Sequence, residues 1–353
     1  MRTILIMLLL AAIPLTGCAA QQTDQVQIGV ILPLTGPLAE YGIATMRGIE
    51  LAREETESDT VFLYEDSAYN NLQAISAFHK LTDQDEVEVV MNWGYSPTNA
   101  ITSLVDTKDV AVIGFTYDET FTVRAQKGIR TWSRPEAFGK VLLEHARKKG
   151  YKKIGILKTE LEYLNSLLAG LQKHANDERV YVIDTFQFED NDFRTSLLKI
   201  EQDPPDVLGV FLVSGQISQF YKAASQRDLS IPTLGSDFFE SQAEINAAQG
   251  GMEGAVYANM DVSTPFRAKY FEKYGDESQI AFAGSAYDWT KLVLSVPDLS
   301  SPEAVIGALE RTQNVEGSLG VYNFEEKDGD RYLSQPIVLK VIQDGTISVC
   351  DAC

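Results

Sequence analysis

The chain has 353 residues, 44% of them apolar and 23% charged, which fits a globular protein of about two domains with a sizeable core and excludes disorder as its dominant state. Asp and Glu number 50 against 30 Lys and Arg, a formal charge of −20, and a chain that repels phosphate backbones argues against nucleic acid as a partner. Three His and three Cys argue against a multi-ligand His or Cys metal site.

Arg2 is followed by an apolar run from Ile4 to Ile13, ending at Pro14. The run is too short to span a bilayer as a helix and reads as a secretory signal. Leu15-Thr16-Gly17-Cys18 resembles a bacterial lipobox, whose cysteine sulfur is diacylated and whose cysteine becomes the new N-terminus. The expected organisation is therefore a signal peptide over 1–17 and a lipid-anchored tether over 18–25. At about 0.8 kcal/mol per buried CH₂, two or three acyl chains anchor stably. No later segment has the run of about 18 apolar residues that a membrane span needs.

From Val26 onward, β-rich runs alternate with helical spacing. Gln27 to Leu32 predicts a strand, and Pro33-Leu34-Thr35-Gly36-Pro37 a turn. Leu38 to Glu54 predicts a helix with Ile43, Met46 and Ile49 on its buried side. Val61 to Tyr64, Val87 to Met91 and Val110 to Ile113 are further strands, with helical spacing at Leu72 to Leu81 and Thr98 to Val105. Such alternation predicts an α/β fold with a parallel sheet and helices on both faces.

The pattern restarts near Ser133. Ser133-x-x-Glu136 predicts a capping box, with Pro135 in the first turn and Phe138, Val141, Leu142 and His145 on one helix face. Ile154 to Leu157, Val180 to Ile183 and Val207 to Val213 read as strands. Ile217, Phe220, Tyr221 and Ala224 mark a helix. Ile231 to Gly235 and Ala255 to Ala258 read as short strand edges, and helices follow at Phe266 to Tyr274 and Ile280 to Leu294. Ile337 to Ile342 and Thr346 to Val349 form a hairpin at Asp344-Gly345. Beyond it, Cys350-x-x-Cys353 reads as a terminal disulfide or two idle thiols, because no helix follows to lower a thiol pKa.

No Gly-x-Gly-x-x-Gly follows the first strand, and no P-loop or Gly-x-Ser-x-Gly occurs. His79, His145 and His174 lie in helical patterns, where a lone His is usually packed or solvated. The reading is a binding protein rather than an enzyme, with no cofactor. Ligands in open α/β sheets sit beyond the carboxyl ends of the strands. Here those ends are rich in Ser, Thr, Tyr and Gly. Ser96-Pro97 reads as an N-cap and first helical residue, whose free N–H groups suit a carboxylate or merely close the helix. Asp237 follows a strand end at Gly235-Ser236. It is expected in a loop at the lobe surface, placed to pair with an ammonium or simply solvated.

Ile28-Gly29-Val30-Ile31-Leu32-Pro33-Leu34-Thr35-Gly36, Tyr41-Gly42 and Gly48-Ile49-Glu50-Leu51-Ala52 resemble the opening of type I periplasmic binding proteins of the branched-chain amino-acid (Leu/Ile/Val) subfamily. The resemblance extends through Ala283-Gly284-Ser285-Ala286-Tyr287-Asp288 and Gly317-Ser318-Leu319-Gly320. It implies two Rossmann-like lobes joined by three crossovers, one of residues 26–131 plus 262–332 and the other of 132–261 plus 333–353. The family Ser that holds a ligand carboxylate falls at Tyr95 or Ser96, with Ser96 preferred. The family Thr contact matches Thr116, the covering aromatics match Tyr41 and Tyr163, and the acidic partner of the ligand ammonium matches Asp237, where Leu/Ile/Val binders have Glu. Trp93-Gly94-Tyr95-Ser96-Pro97 replaces the family's Ser-rich run, Glu160-Leu161-Glu162-Tyr163 lacks its Tyr-Gly, and its early disulfide is missing. The bulk of Trp93 and Tyr95 is expected to reshape the pocket.

The resemblance implies an extracytoplasmic lipoprotein, anchored at Cys18, that binds a small metabolite of the amino-acid class between its lobes. It would present that ligand to an ABC permease and its ATPase. The alternative is a lipoprotein of the same fold that senses a ligand or regulates cell-wall synthases through protein contacts.

Overall fold

The computed structural model describes residues 25–350, and the expected signal peptide and lipobox lie outside them. The first unit runs β1 (Gln27–Leu32), α1 (Ala39–Glu55), β2 (Val61–Asp66), α2 (Asn71–Asp83), β3 (Val89–Trp93), α3 (Tyr95–Lys108), β4 (Ala111–Phe115), α4 (Glu119–Arg124) and β5 (Gly128–Arg130). The second runs α5 (Pro135–Lys148), β6 (Lys153–Thr159), α6 (Glu162–His174), β7 (Arg179–Phe186), α7 (Arg194–Gln202), β8 (Val207–Phe211), α8 (Gln216–Ser225), β9 (Thr233–Gly235), a 3-10 turn at Asp237–Phe239, α9 (Gln242–Ala247) and β10 (Val256–Met260). The chain then returns through α10 (Thr264–Tyr274), α11 (Ile280–Leu294), α12 (Pro302–Leu309), β11 (Val315–Gly317), β12 (Gly320–Lys327) and β13 (Asp330–Ser334), and ends in the hairpin β14 (Ile337–Gln343) and β15 (Thr346–Val349).

Two sheets result. One has eight strands ordered β11-β12-β13-β5-β4-β3-β1-β2, the other seven ordered β15-β14-β10-β9-β8-β6-β7. The strands from β1 to β10 pair in parallel within each sheet, and among the described residues antiparallel pairs occur only where β12 meets β11 and β13 and where β14 meets β10 and β15. Central strands β3, β4, β8 and β10 are buried at every position, as apolar runs covered on both faces must be. The chain passes between the sheets three times, after β5, after β10 and after β13. Side-chain bonds tie two of these passages together: Gln335 Nε2 donates to the Thr131 carbonyl (2.8 Å), and Ser133 Oγ to Gln335 Oε1 (3.3 Å).

Four local readings are corrected. Helix α5 is capped by Arg134 without a side-chain bond, because Pro135 holds Arg134 in extended backbone and the Ser133 hydroxyl is spent on Gln335. Helix α3 begins at Tyr95, capped by Gly94 at φ 100°, so Ser96 lies inside the first turn. Strands β9 and β10 are interior, not edges. On α1 only Ile49 of the predicted stripe is fully buried, and Ile43 and Met46 are half-buried. Small residues make the buried face instead: a Cβ on Gly48 would stand 2.0 Å from the Ala283 carbonyl oxygen of α11, and one on Gly42 2.0 Å from that of Pro33. Gly48 thus lets α1 lie backbone-close against α11, and Gly42 lets it approach the turn after β1.

The two later segments of the family resemblance meet in space. Asp288 on α11 accepts bonds from Ser318 N (2.7 Å), Ser318 Oγ (2.8 Å), Leu319 N (3.3 Å) and the Tyr322 hydroxyl (2.8 Å). This carboxylate pins the β11–β12 turn to the helix. Cys350 is disulfide-bonded, and the other cysteines of the chain lie outside the described residues.

Candidate functional site

The carboxyl ends of strands from both sheets converge on one small cavity. From the first sheet come Trp93 at the end of β3, Phe115, Thr116 and Tyr117 at the end of β4, and Trp132 in the passage after β5. Tyr69, Leu38 and Phe282 at the start of α11 close this side. The second lobe supplies Leu161 and Tyr163 beyond β6, and Asp237 and Phe238 beyond β9. Gly94 is required where it stands: its φ of 100° disfavours a side chain, and a Cβ would meet the Tyr69 ring at 2.6 Å. The Ser236 hydroxyl accepts from Phe238 N (3.3 Å) and closes the 3-10 turn that sets Asp237 inward. The void is ≈ 40 Å³, room for about three waters.

Aromatic rings make most of the wall and pack on each other. Trp132 stacks on Phe282 (centroids 4.5 Å apart, 10° between planes), Tyr95 on Tyr117 (5.0 Å), and Tyr163 on Phe238 (5.6 Å). Tyr117 meets Tyr163 edge-on across the cleft at 5.3 Å. Tyr41 stands behind this wall, against Phe238 (4.8 Å), Phe282 (5.4 Å) and Trp93 (6.2 Å). Its hydroxyl shares a 3.1 Å bond with Ser214 of the other lobe, and Ser214 Oγ donates to Glu40 (2.8 Å). Glu40 also accepts from Gln279 Nε2 (2.6 Å), and burial raises its pKa above the ordinary carboxylate value. The lobes are thus joined beside the cavity by a polar latch and by ring contacts.

Among the described residues Asp237 is the only charged one in the cavity wall, and it is 1% exposed. Correcting the expectation of a solvated loop position, the structure buries it fully. Neither carboxylate oxygen accepts a hydrogen bond of full geometry, and the groups that face it are the Tyr163 hydroxyl and the backbone N–H groups of Asp237 and Phe238. Burial outweighs the Tyr163 hydroxyl and these N–H groups and, with the nearby Glu240 charge, pushes its carboxyl up to about 7. Three residues on, Glu240 is equally buried but accepts from Lys340 Nζ (2.9 and 3.0 Å) and the Tyr257 hydroxyl (2.5 Å). Burial opposes its ionisation, yet the Lys340 charge and these bonds outweigh burial and hold Glu240 below the ordinary value. The fold therefore neutralises one of two neighbouring carboxylates and leaves the other without a partner.

Of the residues singled out in the sequence, Tyr95, Thr116, Tyr163 and Asp237 meet at the cavity. Tyr41 backs the wall without lining it. The Ser96 hydroxyl turns away to Asn71 Oδ1 (2.9 Å), and its backbone N–H points at the Tyr69 hydroxyl. Thr116 Oγ1 accepts from Asp118 N (3.2 Å) and keeps its own proton to donate. Sequence reasoning missed Trp132, Phe238 and Phe282. Phe238 had a signal, its place beside Asp237 at a strand end. Trp132 and Phe282 lie in a passage and on a helix, and only the closed chain path brings them together.

Residues 25–346 match the family described as periplasmic binding protein. No curated protein sequence matches the chain. Among solved structures, the branched-chain amino-acid transporter substrate-binding protein LivJ of Streptococcus pneumoniae, solved with isoleucine, is similar with a TM-score of 0.80 at 20% identity, over 93% of this chain and 99% of that one. An ABC-transporter solute-binding protein of Rhodopseudomonas palustris, solved with benzoate, gives 0.80 at 19% identity, over 92% and 95%. Another, from Rhodopseudomonas palustris BisB5 with 3,4-dihydroxybenzoic acid, gives 0.80 at 21% identity, over 92% and 95%. These likenesses establish a shared fold.

Proposed function

This chain belongs to the periplasmic binding protein family, and from that premise we propose that it captures a small metabolite bearing an ammonium group, an amino acid or a similar amine, between its lobes and delivers it to an ABC importer. The chain is a binding protein and not an enzyme. The observation that carries the proposal is Asp237, a carboxylate buried in the interlobe cavity with both oxygens unpartnered. An unpaired buried carboxylate is costly, and a cationic ligand removes that cost only when the lobes close around it. Contacts made only in the closed form shift the population toward it.

A thermal-shift screen of the purified protein against amino acids and small amines tests this reading. At 100 times its Kd, a true ligand adds about 2.7 kcal/mol of stability. A ligand found this way is expected to reduce the radius of gyration in solution scattering as the lobes close. If no ammonium-bearing compound in the screen raises the melting temperature, the proposal falls.

The lipobox at Leu15-Thr16-Gly17-Cys18 supports a second part of the proposal, that Cys18 is diacylated and holds the protein on the extracytoplasmic face of a membrane, next to a permease and its ATPase. Cys18→Ser is expected to abolish incorporation of labelled fatty acid and to move the protein out of the membrane fraction. Unchanged labelling and fractionation would refute the anchor.

A further inference from the structure

We infer that the ligand is a compact organic cation with a methylated ammonium head and no carboxylate. The aromatic wall, the single unpartnered carboxylate and the lack of any cationic side chain in the lining carry this inference. It rests on the reading above, that Asp237 receives a ligand ammonium, and narrows the ligand from amino acids and related amines to the amines alone.

The wall decides the chemistry of the head group. Nine of the fourteen lining residues are aromatic, Trp93, Tyr117, Trp132, Tyr163 and Phe282 among them. Ring quadrupoles attract a cation, most strongly where water is excluded, and aromatic cages of this kind suit methylated ammonium groups. A methylated head presents C–H groups to the rings and brings few or no N–H donors that would need acceptors in an apolar wall. Asp237 supplies the countercharge from one side.

The wall also decides against a carboxylate on the ligand. Among the described residues no Arg, Lys or His lines the cavity. Of the groups that would receive a carboxylate at the start of α3, the Ser96 hydroxyl is bonded to Asn71 and the Ser96 N–H faces the Tyr69 hydroxyl. The donors that remain free at the wall, Thr116 and the Tyr117 and Tyr163 hydroxyls, are neutral and bring no countercharge to a carboxylate. A ligand carboxylate would lie desolvated in the same small space as Asp237, which repels it. The same repulsion applies to an aromatic acid such as benzoate.

Calorimetric titration of the wild-type protein at pH 8 with tetramethylammonium, choline, the neutral choline isostere 3,3-dimethylbutan-1-ol, leucine and benzoate tests the inference. Choline and tetramethylammonium are expected to bind at least about tenfold more tightly than leucine, and choline at least about tenfold more tightly than its isostere. Equal affinity for choline and the isostere would overturn the inference, since the cavity would then be reading shape alone. Tight binding of leucine with both methylated cations silent would overturn it while the ammonium reading stands. Tight binding of benzoate with every cation silent would overturn both. Trp93→Leu provides an independent arm: it is expected to weaken choline about tenfold and leave the isostere nearly unchanged, and equal loss for both would count against a cation–aromatic contact.

Discussion

Asp237→Asn is expected to lower affinity for the native ligand by about 30-fold or more while making the ligand-free protein more stable at pH 8. The two effects share one cause. In the wild type, closure around a cation pairs a buried charge, and truncating one member of such a pair costs ~2–5 kcal/mol. Without ligand, the same carboxylate has no partner. Its carboxyl is raised to about 7 in the folded chain, against an ordinary value of ~3.9. The folded state therefore holds a proton that the unfolded state has already lost between about pH 4 and pH 7, so this group's contribution falls as pH rises through that window and is flat above it. The full difference corresponds to about 4 kcal/mol. Asn keeps the shape and removes the charge but remains a buried amide, so a net gain of about 2 kcal/mol is expected at pH 8 and little at pH 4. Ligand binding by the wild type runs the other way with pH: a cation needs the ionised carboxylate, so affinity should weaken about tenfold per pH unit below 7. Asp261→Asn, exposed and outside the aromatic cavity, is expected to change neither property. Calorimetry and melting curves on both variants check this. Affinity of Asp237→Asn within about twofold of wild type would remove the ammonium reading.

What the sequence makes legible follows from the range over which each signal acts. Strand–helix alternation is local, and it identifies the α/β class and most elements of both units. The hairpin of β14 and β15 is legible for the same reason, since Asp344-Gly345 carries its turn geometry within two residues. The buried face of α1 is not read correctly, because hydrophobic spacing points to Ile43 and Met46 while the close approach to α11 depends on Gly48 and that to the turn at Pro33 on Gly42. Those glycines belong to the segments that carry the family resemblance, so the resemblance holds information that apolar periodicity lacks. At the cavity, Thr116 and Asp237 are legible as polar residues beyond strand ends. The burial of Asp237 is not, since it comes from Phe238, Tyr163 and the rings of the opposite lobe, elements remote in sequence. Ser96 shows the converse. Its sequence context suits a cap, but Gly94 starts the helix earlier and turns the hydroxyl toward Asn71.

Asp330→Asn is expected to lower stability by ~3–5 kcal/mol, the usual cost of breaking a buried ion pair from one side, and with it the melting temperature by roughly 10 °C. Asp330 on β13 is 2% exposed and receives Arg130 Nε and Nη2 at 2.7 Å each, with Thr122 Oγ1 at 3.0 Å and Arg134 alongside. Arg130 on β5 is fully buried, so removing the carboxylate charge strands a guanidinium in the core. Burial opposes ionisation of Asp330, but Arg130 and Arg134 prevail and hold its carboxyl below the ordinary value. Its contribution is therefore present above about pH 4 and is lost as pH falls through the lower folded value. Asp192→Asn, at an exposed pair with Arg194, serves as the control and is expected to leave the melting temperature unchanged. The pair also reaches the binding cavity. Arg130 Nη1 donates to the Trp132 carbonyl at 2.6 Å, and Trp132 forms part of the aromatic wall. Both strands lead directly into passages between the lobes, so a loosened β5–β13 contact shifts Trp132 and the joint on which closure turns. Asp330→Asn should thus weaken ligand binding as well as the fold at a temperature where the protein is still folded. A variant that loses stability but binds with wild-type affinity would confine Asp330 to the core and leave the placement of Trp132 to its ring contact with Phe282.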